Sequence, residues 1–272
     1  MAGTQRSSRA RAGASAAAPR ALVTLALDVG GTGIKGDALD REGKPLAERV
    51  RIPTPYPLTP EKLVAIFQQI AGQVPAFDRV AVGFPGVVRQ GRVLSAPHYV
   101  RPKGDDSPVD PDLERQWLGF DLASATGEAL GHETRVGNDA DVQGLAVVTG
   151  RGLEVVLTLG TGVGSAVFQD GVLGPHLELA HHPLRRGMTY NEYVGDEALR
   201  KLGRRRWNKR VARMVDTVRQ LLFFDHLYIG GGNSAHVKSD LGSDVTLVDN
   251  QAGILGGIRL FDQPAGPRSH AR

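Results

Sequence analysis

The chain of 272 residues contains no cysteine. That absence removes disulfides, thiol nucleophiles and cysteine-ligated zinc, so no zinc site is expected. It also fits a reducing compartment, and a cytoplasmic location is the expectation. Aromatic residues supply only 6% of the sequence. Nothing in it has the form of a helix-turn-helix, a zinc finger or an aromatic RNA-binding sheet, so no nucleic acid partner is expected. No apolar run is long enough to span a bilayer, so no membrane partner is expected either. What remains is a globular composition, 41% hydrophobic and 23% charged, in a chain long enough for two modest domains with a real core.

Residues 1–20 are rich in Arg, Ala, Ser and Gly. An Arg-containing start followed by an apolar stretch has the outline of a signal peptide. Pro19 and Arg20 break that stretch, however, and Leu22 to Leu27 is needed as a first strand. A disordered tail is the expectation, with a composition also compatible with an organelle transit peptide. The net charge of +4 is local: basic residues crowd Arg185 to Arg219, most densely from Arg200 to Arg213. Such a run is either a solvated helix face or a groove for a polyanion.

One motif occurs twice. Leu25-Ala26-Leu27-Asp28-Val29-Gly30-Gly31-Thr32-Gly33-Ile34-Lys35-Gly36 has its counterpart in Val155-Val156-Leu157-Thr158-Leu159-Gly160-Thr161-Gly162-Val163-Gly164-Ser165. Each is an apolar run, a Gly-Thr-Gly turn and a second apolar run, which reads as a hairpin of buried strands. Glycines there permit tight turns and let backbone N–H groups approach an anion. Two such hairpins suggest similar halves facing each other across a cleft, with a polyphosphate ligand held from both sides.

Between the hairpins the spacing predicts strands at Ile34 to Leu39, Leu46 to Ile52 and Arg79 to Phe84, with a turn at Asp40 to Gly43. A helix is predicted from Pro60 to Ile70 with Thr59 as its cap. Residues 95–112 read as a long loop, Leu122 to Leu130 as a helix and Thr134 to Gly137 as a strand. The second half predicts a helix at Ala140 to Thr149 and a hairpin turning at Asp170-Gly171. A basic helical region follows from Asn191 to Phe224, then strands at Leu227 to Ile229 and Val245 to Val248, and a helix at Gln251 to Leu260. This order is α/β.

Several residues admit both a chemical and a structural reading. Asp28, at the end of a buried strand, needs a partner. A magnesium ion on a phosphate chain, reached directly or through water, would serve, and so would a turn-capping role. Lys35 either neutralises phosphate or is an exposed strand lysine. Asn138-Asp139 sits between a strand and a helix, where Asp is a routine cap. A carboxylate there could also take the proton of a hydroxyl nucleophile. Glu178-Leu179-Ala180-His181-His182 fits no zinc spacing; it suits hydrogen bonds to a polyol or a pair of structural histidines. Gly230-Gly231-Gly232 either exposes bare backbone to a ligand or is a strand-to-helix turn.

Together these pieces resemble the ROK family of sugar kinases, and within it the polyphosphate glucokinase branch. The likeness runs from about Ala21 to Asp262. Besides the two hairpins it rests on Phe84-Pro85-Gly86-Val87-Val88, Trp117-Leu118-Gly119, Asn138-Asp139-Ala140-Asp141, Glu178-Leu179-Ala180-His181, Tyr228-Ile229-Gly230-Gly231-Gly232 and Asn250-Gln251-Ala252-Gly253-Ile254. The resemblance implies a two-lobed actin/hexokinase-like, ribonuclease H-like fold with a central cleft. The small lobe would comprise 21–137 plus 249–263, and the large lobe 138–248 would face the phosphoryl donor. It implies phosphoryl transfer from inorganic polyphosphate or ATP to the 6-hydroxyl of glucose or a related hexose, with Asp139 as general base. Gly86, Asn138, Glu178, His181 and Glu192 would bind the sugar. Asp28, Gly30, Gly31, Thr32, Gly33, Lys35, Gly160, Thr161, Gly162, Gly231 and Gly232 would hold the phosphates, with magnesium at Asp28. A homodimer is common in the family. Ala180 stands where the family has Gly, and the family's cysteine-rich zinc segment has no counterpart. The alternatives are a kinase for an amino or N-acetylated sugar and a non-catalytic sugar-sensing member.

Overall fold

The computed structural model describes residues 22–105, 107–248 and 255–264. The expected tail at 1–20 and the Asn250 to Ile254 segment lie outside the described residues. Two five-stranded sheets organise the chain. The first holds β1 (Thr24–Val29), β2 (Ile34–Leu39), β3 (Val50–Ile52), β4 (Arg79–Phe84) and β5 (Glu133–Asn138), in the order β3-β2-β1-β4-β5. The second holds β6 (Leu153–Leu159), β7 (Val163–Gln169), β8 (Val172–Leu173), β9 (His226–Gly230) and β10 (Val245–Leu247), in the order β8-β7-β6-β9-β10. In both, the first three strands run antiparallel and the last two join the first in parallel. The repeat seen in the motif is therefore a repeat of topology.

The central strands are buried on both faces, which is why they read as near-continuous apolar runs. Against the first sheet pack α1 (Pro60–Ala71), α2 (Pro111–Trp117) and α3 (Leu122–Leu130), closing a core around Leu27, Phe67, Phe84, Tyr99 and Trp117. Thr59 caps α1 by accepting the Lys62 N–H at 3.3 Å, and Leu63, Ile66, Phe67 and Ile70 form its buried stripe. Against the second sheet pack α5 (Tyr190–Val194) and α6 (Asp196–Leu222), through Trp207, Val211, Met214 and Val218. Two helices lie between the sheets: α4 (Asp139–Val147) and α7 (Leu255–Arg259). They cross so closely that a Cβ on Gly256 would stand 1.5 Å from the Val142 carbonyl oxygen.

Three expectations need correction. The third strand is only Val50–Ile52, because Leu46 points to solvent and the approach begins as a single bridge from Pro45 to Leu39. The loop at 95–112 contains an extended piece at Pro102–Asp105 and ends as α2 begins, with Asp110 capping through the N–H groups of Asp112 and Leu113. The basic helical region is two helices, divided at Gly195, and α6 is itself broken at Gly203, whose φ is 69°. Among the described residues, no helix is long and apolar enough to cross a membrane.

Candidate active site

A cleft of about 1240 Å³ opens between the sheets. Its walls are the turns at the ends of β1 and β6, the loop after β4, the start of α4, the segment from His176 to His181 and the Gly231-Gly232 turn. Most of the expected site residues line it. Gly33, Lys35 and Glu192 do not.

The two Gly-Thr-Gly turns share an electrostatic design. In the first, every carbonyl has a donor. Gly30 accepts from Thr54 Oγ1 at 2.6 Å, Gly31 from the Tyr56 hydroxyl at 3.0 Å, Thr32 from Arg51 Nη2 at 2.9 Å, and Gly33 from the Gly30 N–H at 3.2 Å. In the second, Gly160 accepts from the Asp196 N–H at 3.0 Å and from Asn233 Nδ2 at 3.1 Å, while Gly162 accepts from the Gly160 N–H at 2.9 Å. With the oxygens bound, the N–H groups of Gly31, Thr32, Thr161 and Gly162 are left without a protein acceptor among the described residues. Such a surface presents the partial positive charge of N–H groups while the turn carbonyls are already engaged, which suits an anion.

The first turn also positions Asp28. Its Oδ2 accepts from Lys35 Nζ at 3.0 Å, across the β1–β2 pair. Lys35 is therefore the partner of Asp28, rather than a cleft-facing phosphate ligand. Asp28 nevertheless lines the cleft, half-exposed. Among the described residues, no three His, Asp or Glu side chains gather into a metal cage. A magnesium ion at this carboxylate would draw its other ligands from water and phosphate oxygens, the usual arrangement for that ion. A half-exposed carboxylate facing the cleft beside the first turn fits that role.

Asn138, not Asp139, caps α4. Its Oδ1 accepts the N–H groups of Ala140 at 2.8 Å and Asp141 at 3.4 Å. Its Nδ2 donates to the Gly86 carbonyl at 2.9 Å and keeps one N–H for a ligand. Gly86 is required there, because a Cβ would stand 2.1 Å from the Ser95 carbonyl oxygen. Relieved of capping by its neighbour, Asp139 accepts one bond, from the Ala140 N–H at 2.9 Å, and faces the cleft. Desolvation, reinforced by the nearby negative charges of Asp28, Asp141 and Glu178, raises its pKa from 3.8 to about 6.

His176, which the sequence reading passed over, stands between Asp141 and Glu178 and lines the same wall. Burial opposes a charge on its ring. The hydrogen bonds and negative charges of Asp141 and Glu178 outweigh that, and its pKa rises to about 10. His181 also lines the cleft, at the end of a single 3-10 turn from Leu179.

Glu192 serves another purpose. Its Oε2 accepts the Thr189 N–H at 2.8 Å while Thr189 Oγ1 accepts the Glu192 N–H at 3.2 Å, a reciprocal cap for α5. The neighbouring Asn191 faces the cleft instead, its Oδ1 accepting the Val163 N–H at 2.7 Å. The Gly231 turn packs on the second hairpin. Its φ is 86°, and a Cβ would meet the Leu159 backbone at 2.4 Å. Gly232, by contrast, has open space around it.

The model of the ROK family matches residues 24–188, more than half of the chain. Polyphosphate glucokinase of Mycobacterium tuberculosis is 32% identical over 242 residues, which cover 84% of this chain and 83% of that protein. The crystal structure of inorganic polyphosphate/ATP-glucomannokinase from Arthrobacter sp. strain KM is 32% identical, with a TM-score of 0.71 over 87% of this chain and 97% of that one. A ROK family glucokinase from Streptomyces griseus, solved with glucose and AMPPNP, has a TM-score of 0.65 at 17% identity, covering 88% of this chain and 98% of its own. That last likeness speaks for the fold alone, the two-lobed actin/hexokinase-like α/β architecture. The chain belongs to the ROK family.

Proposed function

We propose that this chain is a hexose kinase that moves a phosphoryl group from inorganic polyphosphate or ATP to the 6-hydroxyl of glucose or a close analogue. The observation that carries the reading is Asp139. It is a cleft-facing carboxylate with a pKa raised to about 6, set between two turns that offer free N–H groups. A base of that pKa is ionised at neutral pH and still strong enough to accept a hydroxyl proton. Asp139 would orient the hydroxyl oxygen toward phosphorus and take its proton as the bond forms. The turn N–H groups would hold the donor's phosphates, and charge neutralisation with positioning would supply most of the acceleration. Magnesium held by Asp28 and the phosphates would offset charge on the transferring group.

Asn138, Glu178 and His181 are proposed to bind the sugar, with Gly86 shaping its loop. The lobes, 21–137 plus 249–263 and 138–248, are proposed to close on it. Glucose and mannose are the acceptors to compare, since the Arthrobacter relative is named a glucomannokinase.

The donor reading is supported by α6. It starts where the Asp196 N–H meets the Gly160 carbonyl. Arg200 and Lys201 pair with Asp196 and Glu197 one turn back. Beyond Gly203, the exposed Arg204, Arg205, Arg206, Lys209 and Arg213 have no ion-pair partner among the described residues. A chain longer than a triphosphate could lie along that stripe. A cytoplasmic homodimer is the proposed setting.

The test is glucose phosphorylation with each donor, for the parent chain and Asp139→Asn. Turnover should fall at least roughly a hundredfold while sugar binding persists. Unchanged turnover rejects Asp139 as the base. Activity with ATP and none with polyphosphate rejects polyphosphate as a donor.

A further inference from the structure

His176 Nδ1 lies 3.3 Å from Asp141 Oδ1, and its Nε2 lies 3.4 Å from Glu178 Oε2. The imidazole and the Asp141 carboxyl are 8% and 5% exposed, while Glu178 is 39% exposed. A neutral imidazole has one N–H and one lone pair. Flanked by two carboxylates, it would turn that lone pair toward one of them. Only the imidazolium donates at both ends. Burial pushes the Asp141 carboxyl up, while the hydrogen bond and charge of His176 pull against it, so the row reads as one cation shared by two acids.

The row also joins two parts of the site. Asp141 is in the first turn of α4, with its N–H on Asn138, and lies two residues from Asp139. Glu178 comes from the segment after β8. Its side chain caps nothing at the 3-10 turn it precedes, and its one side-chain partner among the described residues is His176. Without that partner, a half-exposed Glu with several free rotors would have no fixed direction.

We infer that His176 is a positioning residue, a buried cation that fixes Glu178 relative to α4, so that the carboxylate gripping the sugar and the carboxylate taking its proton share one frame. The inference rests on the reading of the cleft as a hexose site.

The test is a double-mutant cycle in glucose kinetics, using Glu178→Gln, His176→Gln and the double variant. Glu178→Gln should raise KM. His176→Gln should raise KM roughly tenfold, the scale of one charge-assisted hydrogen bond, with kcat changed much less. The double variant should be little worse than Glu178→Gln, because His176 acts through that carboxylate. If Glu178→Gln raises KM but His176→Gln does not, or if the two effects add in full, the inference is overturned and the hexose site stands. If Glu178→Gln leaves KM unchanged, the hexose-site reading falls and takes the inference with it. Nitrogen-15 NMR of the histidines in the parent protein asks the same question without a substitution. Both His176 ring nitrogens should carry protons at pH 8, and a neutral tautomer would refute the inference.

Discussion

The side-chain amide of Asn138 donates to the carbonyl of Gly86 at 2.9 Å. One hydrogen bond thereby ties the loop after β4 to the first turn of α4. The oxygen of the same amide caps that helix, so a single buried side chain sets both the entry angle of α4 and the position of a cleft wall.

Asn138→Ala removes a cap and leaves the Gly86 carbonyl without its donor. A loss of about 1–3 kcal/mol in denaturant unfolding is expected. Asn138→Asp keeps an accepting oxygen for the helix but replaces the donor facing Gly86 with a second acceptor. It should recover part of the stability while sugar KM stays raised. Full recovery of both would show that the Gly86 link is idle.

Gly86→Ala drives a methyl group toward the Ser95 carbonyl, from which it would stand 2.1 Å. Backbone cannot yield as a flexible side chain does, so the loop must shift at a cost of about 1–3 kcal/mol. Thermal unfolding should record the loss, and sugar KM should rise with it.

Asp139 carries a stability cost at neutral pH. Its pKa is higher folded, about 6, than its unfolded value of 3.8. Between those values the folded state binds the extra proton, so this contribution is full below about pH 4 and is lost as pH rises through 6. Asp139→Asn should therefore be more stable than the parent at pH 8, by about 1–3 kcal/mol, and nearly equal to it at pH 4. Activity runs the other way: kcat/KM of the parent should fall tenfold per pH unit below about 6. Stability curves that differ equally at both pH values would contradict the desolvated, cleft-facing carboxylate.

Glu192→Ala should cost about 0.5–2 kcal/mol through the lost cap of α5, with sugar KM little altered. A large rise in KM at unchanged stability would restore Glu192 to the sugar site.

Glu154 is a buried carboxylate that accepts from the Thr149, Gly150 and Arg151 N–H groups, the Thr149 hydroxyl and the Tyr228 hydroxyl. Burial opposes its charge, but these donors prevail and hold its pKa below the usual 4.5. Its contribution is thus present above pH 4.5 and lost as pH falls below that value. Glu154→Gln should destabilise by about 1.5–3 kcal/mol at pH 7, and by less at pH 3.

Where local chemistry decides structure, the sequence could be read directly. The two hairpins, α1 with its Thr59 cap, β4 and α3 were legible because apolar period, capping residues and Gly-rich turns act over a few neighbours. The break at Gly203 was obscured because a run of Arg and Lys favours helix on either side of it. Glu192 carries a local signal of another kind: the resemblance implies a sugar ligand, whereas Thr189, three residues upstream, completes a capping box with it.

By itself the sequence determined the doubled α/β topology, the Gly-Thr-Gly turns and the placing of Asp139 at the junction of strand and helix. The tertiary structure alone decided that Asn138 would meet the Gly86 carbonyl and that His176 would lie between two acids. The reason is physical. Strands and turns follow from forces between residues near in sequence, whereas the charge state and direction of a buried side chain depend on groups brought beside it from distant parts of the chain.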